Sequence, residues 1–271
     1  TEVDTCNLDA VQQAVRNTTK LIIAETIANP LLHVADIEGL AEIAHASHAR
    51  LLIDNTFASP VVCRPLEMGA DLVVESMTKI MNGHSDVILG CLCGKNAAWD
   101  RVSLSATTWG LFASPHSCWL SMRGMATMDL RVRQASSTAQ EIAERLVGHP
   151  AVSELHYPGL PDDPHQPLAQ KQFSTIQGES CYGNMITLCL TGDHSCVEKF
   201  IYALSPEIPF CPSLGDLKTT LSHPESTSHR ELSANQRKQL GIHPGTIRLS
   251  VGIEAASDIF SHLERGLEAI A

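Results

Sequence analysis

A chain of 271 residues is long enough for one large domain or two ordinary ones around a substantial buried core. Apolar residues make up 44% and charged residues 18%, and 30 acidic against 19 basic side chains leave a formal charge of −11. That sign argues against a nucleic-acid surface and against docking on an anionic membrane, and no run of about 18 apolar residues offers a membrane span.

The N-terminus, TEVDTCNLDAVQQAV, has neither the basic nor the apolar region of a signal peptide, and it opens without methionine. A processed or incomplete chain is therefore expected. The nine cysteines (6, 63, 91, 93, 118, 181, 189, 196 and 211) are scattered, odd in number and form no CxxC pair. They read as reduced packing residues of a cytoplasmic protein, with Cys91 and Cys93 on a buried strand and no metal site.

In chain order, Leu8, Val11 and Val15 give residues 8–17 a helical face, and Asn7 precedes them as a cap. KLIIAE at 20–25 reads as a strand ending in the turn TIANP. Asp36 caps a second helix over 37–49, with Ile37, Leu40, Ile43 and Ala44 on one face. LLID at 51–54 is a buried strand that stops on a carboxylate, and ADLVVES at 70–76 is the next. The lysine-bearing stretch ESMTKIMNGHSDVILG at 75–90 then runs straight into VILGCLCG at 87–94. A (β/α) barrel would need a helix-length connection there, so the cadence favours an open α/β sheet, largely parallel and partly mixed.

From Trp119 to about Leu146 the pattern is helical, broken around Gly124, as in a helix that bridges two domains. The expected division is residues 1–130 and 131–271, the second an α+β domain. Its strands are AVSELHY, NMITLCLT and TIRLSVG, and its helices SCVEKFIYAL and SDIFSHLERGLEAI. The Pro/Asp/His-rich segment 157–167 reads as a surface loop.

In open α/β sheets ligands sit beyond the carboxyl ends of the strands. Glu25 and Asn29, Asp54, and Ser76 to Lys79 occupy such ends and define one candidate pocket. A lysine amine, a buried carboxylate and a pair of hydroxyls together suit pyridoxal 5'-phosphate. That cofactor needs an amine for its aldehyde, an anion for its protonated ring nitrogen and donors for its phosphate. Taken singly, an Asp after a strand is a turn or cap residue and a Lys beside Gly and His is a solvated loop residue. His33, His45 and His48 lack the further ligands that would complete a metal sphere.

DNTFASP at 54–60, PLEMGADLVVESMTK at 65–79 and NGHSD at 82–86 resemble the transsulfuration enzymes of cysteine and methionine metabolism, which depend on pyridoxal phosphate. The likeness extends through ETIANP at 25–30, SMRGMATMDLR at 121–131, SLGD at 213–216, SHPESTSH at 222–229 and IRLSVGIE at 247–254. It implies a fold-type I large domain with a mostly parallel sheet, followed by a smaller α+β C-terminal domain. By the same resemblance Lys79 takes the cofactor's aldehyde and later moves protons between substrate carbons. Asp54 pairs with the ring nitrogen, Ser76 and Thr78 lie at or beside the phosphate, and Asn29 meets the phenolic oxygen. Arg248 clamps the substrate carboxylate, and Ser213 holds the substrate nearby.

Two departures accompany the resemblance. Ile80 stands where the family commonly has tyrosine after the lysine. The family's N-terminal segment, which supplies a phosphate loop, a stacking tyrosine and residues reaching a neighbouring subunit, has no counterpart here. Tyr157, Tyr182 and Tyr202 match none of those roles. The resemblance implies γ-elimination on methionine or cystathionine. γ-Replacement, as in cystathionine γ-synthase or O-acetylhomoserine sulfhydrylase, is the alternative, and a non-catalytic binding protein of the same fold is the alternative of another class. It also implies a homo-oligomer, a dimer or tetramer, acting on a small amino acid in the cytoplasm.

Overall fold

The computed structural model describes residues 1–94, 99, 102–192 and 194–271. They form two compact units. The first comprises Thr1–Ala28, His33–Met128 and Ser174–Gly178, and the second Asn29–Leu32, Asp129–Phe173 and Glu179–Ala271.

The first unit is built on a four-stranded sheet in the order β1 (Leu21–Glu25), β2 (Arg50–Asp54), β3 (Leu72–Ser76), β4 (Gly90–Gly94). The first three strands are parallel, with Glu25 level with Asp54 and Asp54 level with Val74. β4 runs antiparallel to β3, so the sheet is mixed, as the missing crossover after residue 74 predicts. Helices α1 (Leu8–Ala14) and α2 (Ile37–Ala46) start where the sequence places caps: Asn7 Oδ1 accepts from Ala10 N and Asp36 Oδ1 from Gly39 N. Ile37, Leu40 and Ala44 of α2 are buried with Leu51 and Ile53 of β2 in the unit's core. Each such Leu or Ile side chain contributes about 1.5–3 kcal/mol by leaving water.

Short helices α3 (Ser59–Val62), α4 (Val102–Trp109) and α5 (Pro115–Met125) complete the unit. Two expectations are corrected here. Val87, Ile88 and Leu89 precede the strand rather than forming it, and Ile88 is 91% exposed. Cys91 and Cys93 are not deeply buried, because β4 lies at the edge of this sheet.

The second unit opens on α6 (Met128–Leu146). The helical run therefore breaks at Ala126–Thr127, and Gly124 lies inside α5 instead of ending it. An antiparallel sheet follows in the order β5 (Val152–His156), β6 (Met185–Leu190), β8 (Thr246–Ser250), β7 (Thr220–Ser222). Ile186, Leu188 and Leu190 of β6 and Ile247 and Leu249 of β8 share a core with three helices. These are α6, α8 (His194–Leu204) and α10 (Ala256–Glu268), which contribute Ile142, Phe200 and Leu263 among others. Thr187 and Arg248, level across β6 and β8, alternate onto the other face.

The segment 157–167 is not a plain surface loop. Tyr157 is fully buried, with its hydroxyl against Ser136 O and Gly183 O, and Asp163 caps the turn by accepting from Tyr157 N and His165 N. A further helix, α7 (Gln166–Gln172), grows out of it, and α9 (Ala234–Gln239) follows a Ser233–Gln236 capping box.

Candidate active site

The lysine turn follows β3 at the carboxyl end of the parallel strands. Lys79 N donates to Ser76 O (3.0 Å) and Gly83 N to Lys79 O (2.8 Å), so residues 76–83 wind as consecutive turns. Met77, Ile80 and Met81 are buried beneath them, and Lys79 is half-buried. The Thr78 hydroxyl clamps the two ends of the loop together, donating to Leu89 O and accepting from Leu89 N.

Asn82 anchors the other side of the turn. Its Nδ2 donates to Asp86 Oδ1 (2.7 Å), and its carbonyl accepts from His84 Nδ1 (2.6 Å), which assigns the proton on that ring to Nδ1. α5 passes so close that a Cβ on Gly124 would overlap Asn82 O and Oδ1. This close approach is what the SMRG motif encodes. Gly124→Ala should lower stability by about 1–3 kcal/mol despite alanine's better helix propensity, read as a fall in the denaturant midpoint.

Asp54 ends β2 with its carboxylate oriented by its own turn. Oδ1 accepts from Thr56 N (3.0 Å) and Thr56 Oγ1 (2.6 Å), and Thr56 Oγ1 in turn accepts from Ser76 N (2.9 Å). Its Oδ2 has no donor among the described residues. Asn55, one residue on, faces the other side of the sheet and is completely buried. Its Oδ1 accepts from Thr26 Oγ1 (2.7 Å), and its Nδ2 donates to Cys63 O (3.1 Å) and Glu75 Oε1 (3.0 Å).

Glu75 is 5% exposed and its Oε2 has no hydrogen-bond partner among the described residues. Glu75 lines a cavity of about 230 Å³ together with Cys63, Arg64, Glu67, Cys91 and Cys93. Burial pushes the carboxyl up to about 7, against the Asn55 hydrogen bond and with the help of the Asp54 charge. The folded chain thus keeps a proton that the unfolded chain releases near 4.5. Stability from this group is complete below that pH and is lost as pH rises to about 7, by ~3 kcal/mol in all. Denaturant midpoints of the wild type should show that decline between about pH 4 and 8, and those of Glu75→Gln should lack it.

In the second unit Arg248 is 3% exposed on β8. Its Nη1 donates to Asn29 Oδ1 (2.6 Å) and its Nη2 to Ser213 O (3.4 Å). Burial pulls the guanidinium down to about 10, so it remains charged at neutral pH. The SLGD turn is tied to the same strand and the segment after it. Gly215 N donates to Ser250 Oγ, Thr219 N and Oγ1 to the Glu254 carboxylate, and Ile253 N to Leu217 O. Asn29 belongs to this unit because Thr187 Oγ1 donates to Pro30 O (2.5 Å). His229, close enough to feel the Arg248 charge, is pulled down by burial and by that charge.

Lys79, Asp54, Ser76 and Thr78 therefore gather at the strand ends of the first unit, and Asn29, Ser213 and Arg248 in the second. The donor set of the first unit fits pyridoxal 5'-phosphate. It offers an amine, a carboxylate with one oxygen fixed and the other able to accept a ring N–H, and the Ser76 hydroxyl. The sequence reading missed Thr56 and Asn55, whose roles lie in bonding to strand neighbours, and the bracing role of Thr78. The only sequence signal for all three was the DNT turn and a hydroxyl at i−1 to the lysine. SHPESTSH is held from both within and outside: His223 Nδ1 meets Ser226 Oγ (3.0 Å), His223 Nε2 meets Pro244 O (2.8 Å), and Glu225 pairs with Arg237 (2.7 Å).

Residues 1–268 match the family described as Cys/Met metabolism PLP-dependent enzyme. The chain is 39% identical over its whole length to the L-methionine gamma-lyase of Porphyromonas gingivalis, of which it covers 67%. Among solved structures it superposes with a TM-score of 0.93 on cystathionine gamma-lyase from Lactobacillus plantarum complexed with L-serine, at 38% identity, covering 100% of this chain and 69% of that one. The match to cystathionine gamma synthase from Xanthomonas oryzae pv. oryzae has a TM-score of 0.93 at 35% identity, covering 98% of this chain and 67% of that one. The chain thus spans about two thirds of the length of the relatives it matches. With the α/β architecture of fold-type I, the lysine turn and the matched family in agreement, the chain belongs to the Cys/Met metabolism PLP-dependent enzymes.

Proposed function

We propose that the protein cleaves the Cγ–S bond of methionine or cystathionine. The observation that carries the reading is the Asp54–Thr56–Ser76 hydrogen-bonded chain beside the Lys79 turn, which presents a fixed carboxylate and a reactive amine together. When bound, pyridoxal 5'-phosphate supplies an electron sink for the electrons released as the substrate α-proton leaves. Lys79 Nζ would hold the cofactor through its aldehyde carbon and, once displaced by the substrate amine, would be free to take that proton and carry it onward between substrate carbons. Asp54 Oδ2 would accept the ring N–H and keep it protonated. Ser76 Oγ would donate to the phosphate. Thr78 braces the loop, its own proton already given to Leu89 O, and would stand beside the phosphate.

Asn29 Nδ2 is the donor for the phenolic oxygen, its carbonyl oxygen being held by Arg248. The Arg248 fork binds the substrate carboxylate through two parallel hydrogen bonds, and Ser213 lies alongside. A homo-oligomer, a dimer or tetramer, is supported by exposed apolar residues on and around α4 and α5. Trp109 is 78% exposed, and Leu104, Leu111, Phe112 and Met122 are likewise outward. Nine cysteines, none in a disulfide, accord with a cytoplasmic setting, and no described helix is long and apolar enough to cross a membrane.

The test is purified full-length protein with L-methionine, with L-cystathionine, and with O-acetylhomoserine plus sulfide. Consumption of methionine or cystathionine supports the elimination reading. Consumption of the last mixture alone replaces it with γ-replacement, the reading favoured by the likeness to the Xanthomonas oryzae gamma synthase.

A further inference from the structure

One buried ladder in the first unit takes no part in holding the cofactor. Thr26 and Asn55 follow β1 and β2 directly, and Glu75 is the penultimate residue of β3. By the alternation of side chains Asn55 and Glu75 face away from Asp54 and Ser76. Asn55 uses both amide protons and its carbonyl oxygen: Oδ1 accepts from Thr26, one Nδ2 proton goes to Glu75 and the other to the Cys63 carbonyl. The peptide joining Asp54 to Asn55 is gripped as well, since Asp54 O accepts from Thr26 N and Asn55 N donates to Val74 O, both at 2.9 Å.

We propose that the Thr26–Asn55–Glu75 ladder is the positioning element for the Asp54 carboxylate, fixing the three strand ends from the face opposite the cofactor. The inference rests on the reading of Asp54 as the partner of the ring nitrogen. Thr56 orients the carboxylate relative to its own turn, but it cannot stop that turn from shifting as a whole. The ladder does so by cross-linking the residue next to Asp54 to both neighbouring strands and to the end of α3. Removing the acceptor at Glu75 leaves a buried Asn55 N–H without a partner, and the amide then rotates or draws in water. Either change lets the strand end move by a fraction of an ångström, enough to spoil a charged contact that needs fixed geometry.

The test compares Glu75→Gln, which keeps an acceptor for Asn55, with Glu75→Met, similar in length but without an oxygen. Thr26→Val, isosteric and hydroxyl-free, serves as a second probe should Glu75→Met fail to fold. Two readouts are taken on the full-length protein. One is the dissociation constant of pyridoxal 5'-phosphate from its visible band. The other is amide hydrogen exchange at residues 54–56 in the cofactor-free form. Glu75→Met and Thr26→Val should each weaken cofactor binding about tenfold and speed exchange at 54–56 by a similar factor, while Glu75→Gln stays near wild type. Binding within about twofold of wild type in Thr26→Val and in any folded Glu75→Met overturns the proposal, whatever their melting temperatures. Asp54→Asn is the control. If it is impaired while the ladder variants are normal, the ladder alone is refuted. If it behaves as wild type, the reading of Asp54 fails and the ladder's role falls with it.

Discussion

Lys79→Ala should abolish turnover, with a fall of about 10³-fold or more, while the protein stays folded. Lys79 sits on a turn held by backbone bonds and by the Thr78–Leu89, Ser76–Thr56 and Asn82–Asp86 contacts, none of which uses its side chain, so truncating that side chain leaves them in place. The fall comprises two losses, the covalent hold on the cofactor and the amine that moves the proton. Borohydride treatment followed by peptide mapping separates them: the wild type should retain cofactor mass on the peptide containing Lys79, and the variant none. Cofactor mass found on any other lysine would mean that the loop was misread. Restoration of some activity by an added small amine would show that proton transfer, rather than folding, had been lost.

Arg248→Lys should lower kcat/KM by about 10²–10³-fold, with most of the change in KM. The two acceptors that fix the guanidinium, Asn29 Oδ1 and Ser213 O, lie on separate nitrogens of one planar fork. A lysine ammonium keeps the charge but loses the planar fork that binds a carboxylate through two parallel bonds. Burying that ammonium at a site where arginine is already pulled down to about 10 also favours its neutral form. Steady-state kinetics with methionine, beside a thermal melt, decide the matter. A lowered melting temperature with an unchanged KM would make Arg248 a packing residue. A substrate analogue lacking the carboxylate should be used equally poorly by both proteins.

Much of the frame was legible because it rests on local physics. Asp36 and Asn7 announce helices through the backbone donors they satisfy, and LLID and LVVES announce strands through uninterrupted apolar runs between turns. The VILG run misled for a related reason. Val87 is buried and Leu89 is held by Thr78, yet neither fact requires strand geometry, and an apolar run cannot distinguish a buried loop from a strand. β7 has three residues, too few for a period to register. Lys79 and Asp54 stood out as charges at strand ends, whereas Asn55 reads as an ordinary turn residue. Its meaning lies with Thr26 and Glu75, 29 and 20 residues away, and no local pattern carries that. Arg248 came from the resemblance alone, since an arginine in a strand gives no sign that both faces are covered.

The succession Asp54, Asn55, Thr56 sends consecutive side chains to opposite sides of one sheet edge. This makes the segment asymmetric towards different kinds of genetic change. A point substitution there disturbs one face and leaves the side chains of the other in place. A single-residue insertion or deletion disturbs both, because it would exchange the faces and set an amide where the anion stands and a carboxylate within the buried ladder. Lineages descended from this chain should therefore keep both the identity and the number of these three residues, with length changes displaced to exposed turns such as 176–180.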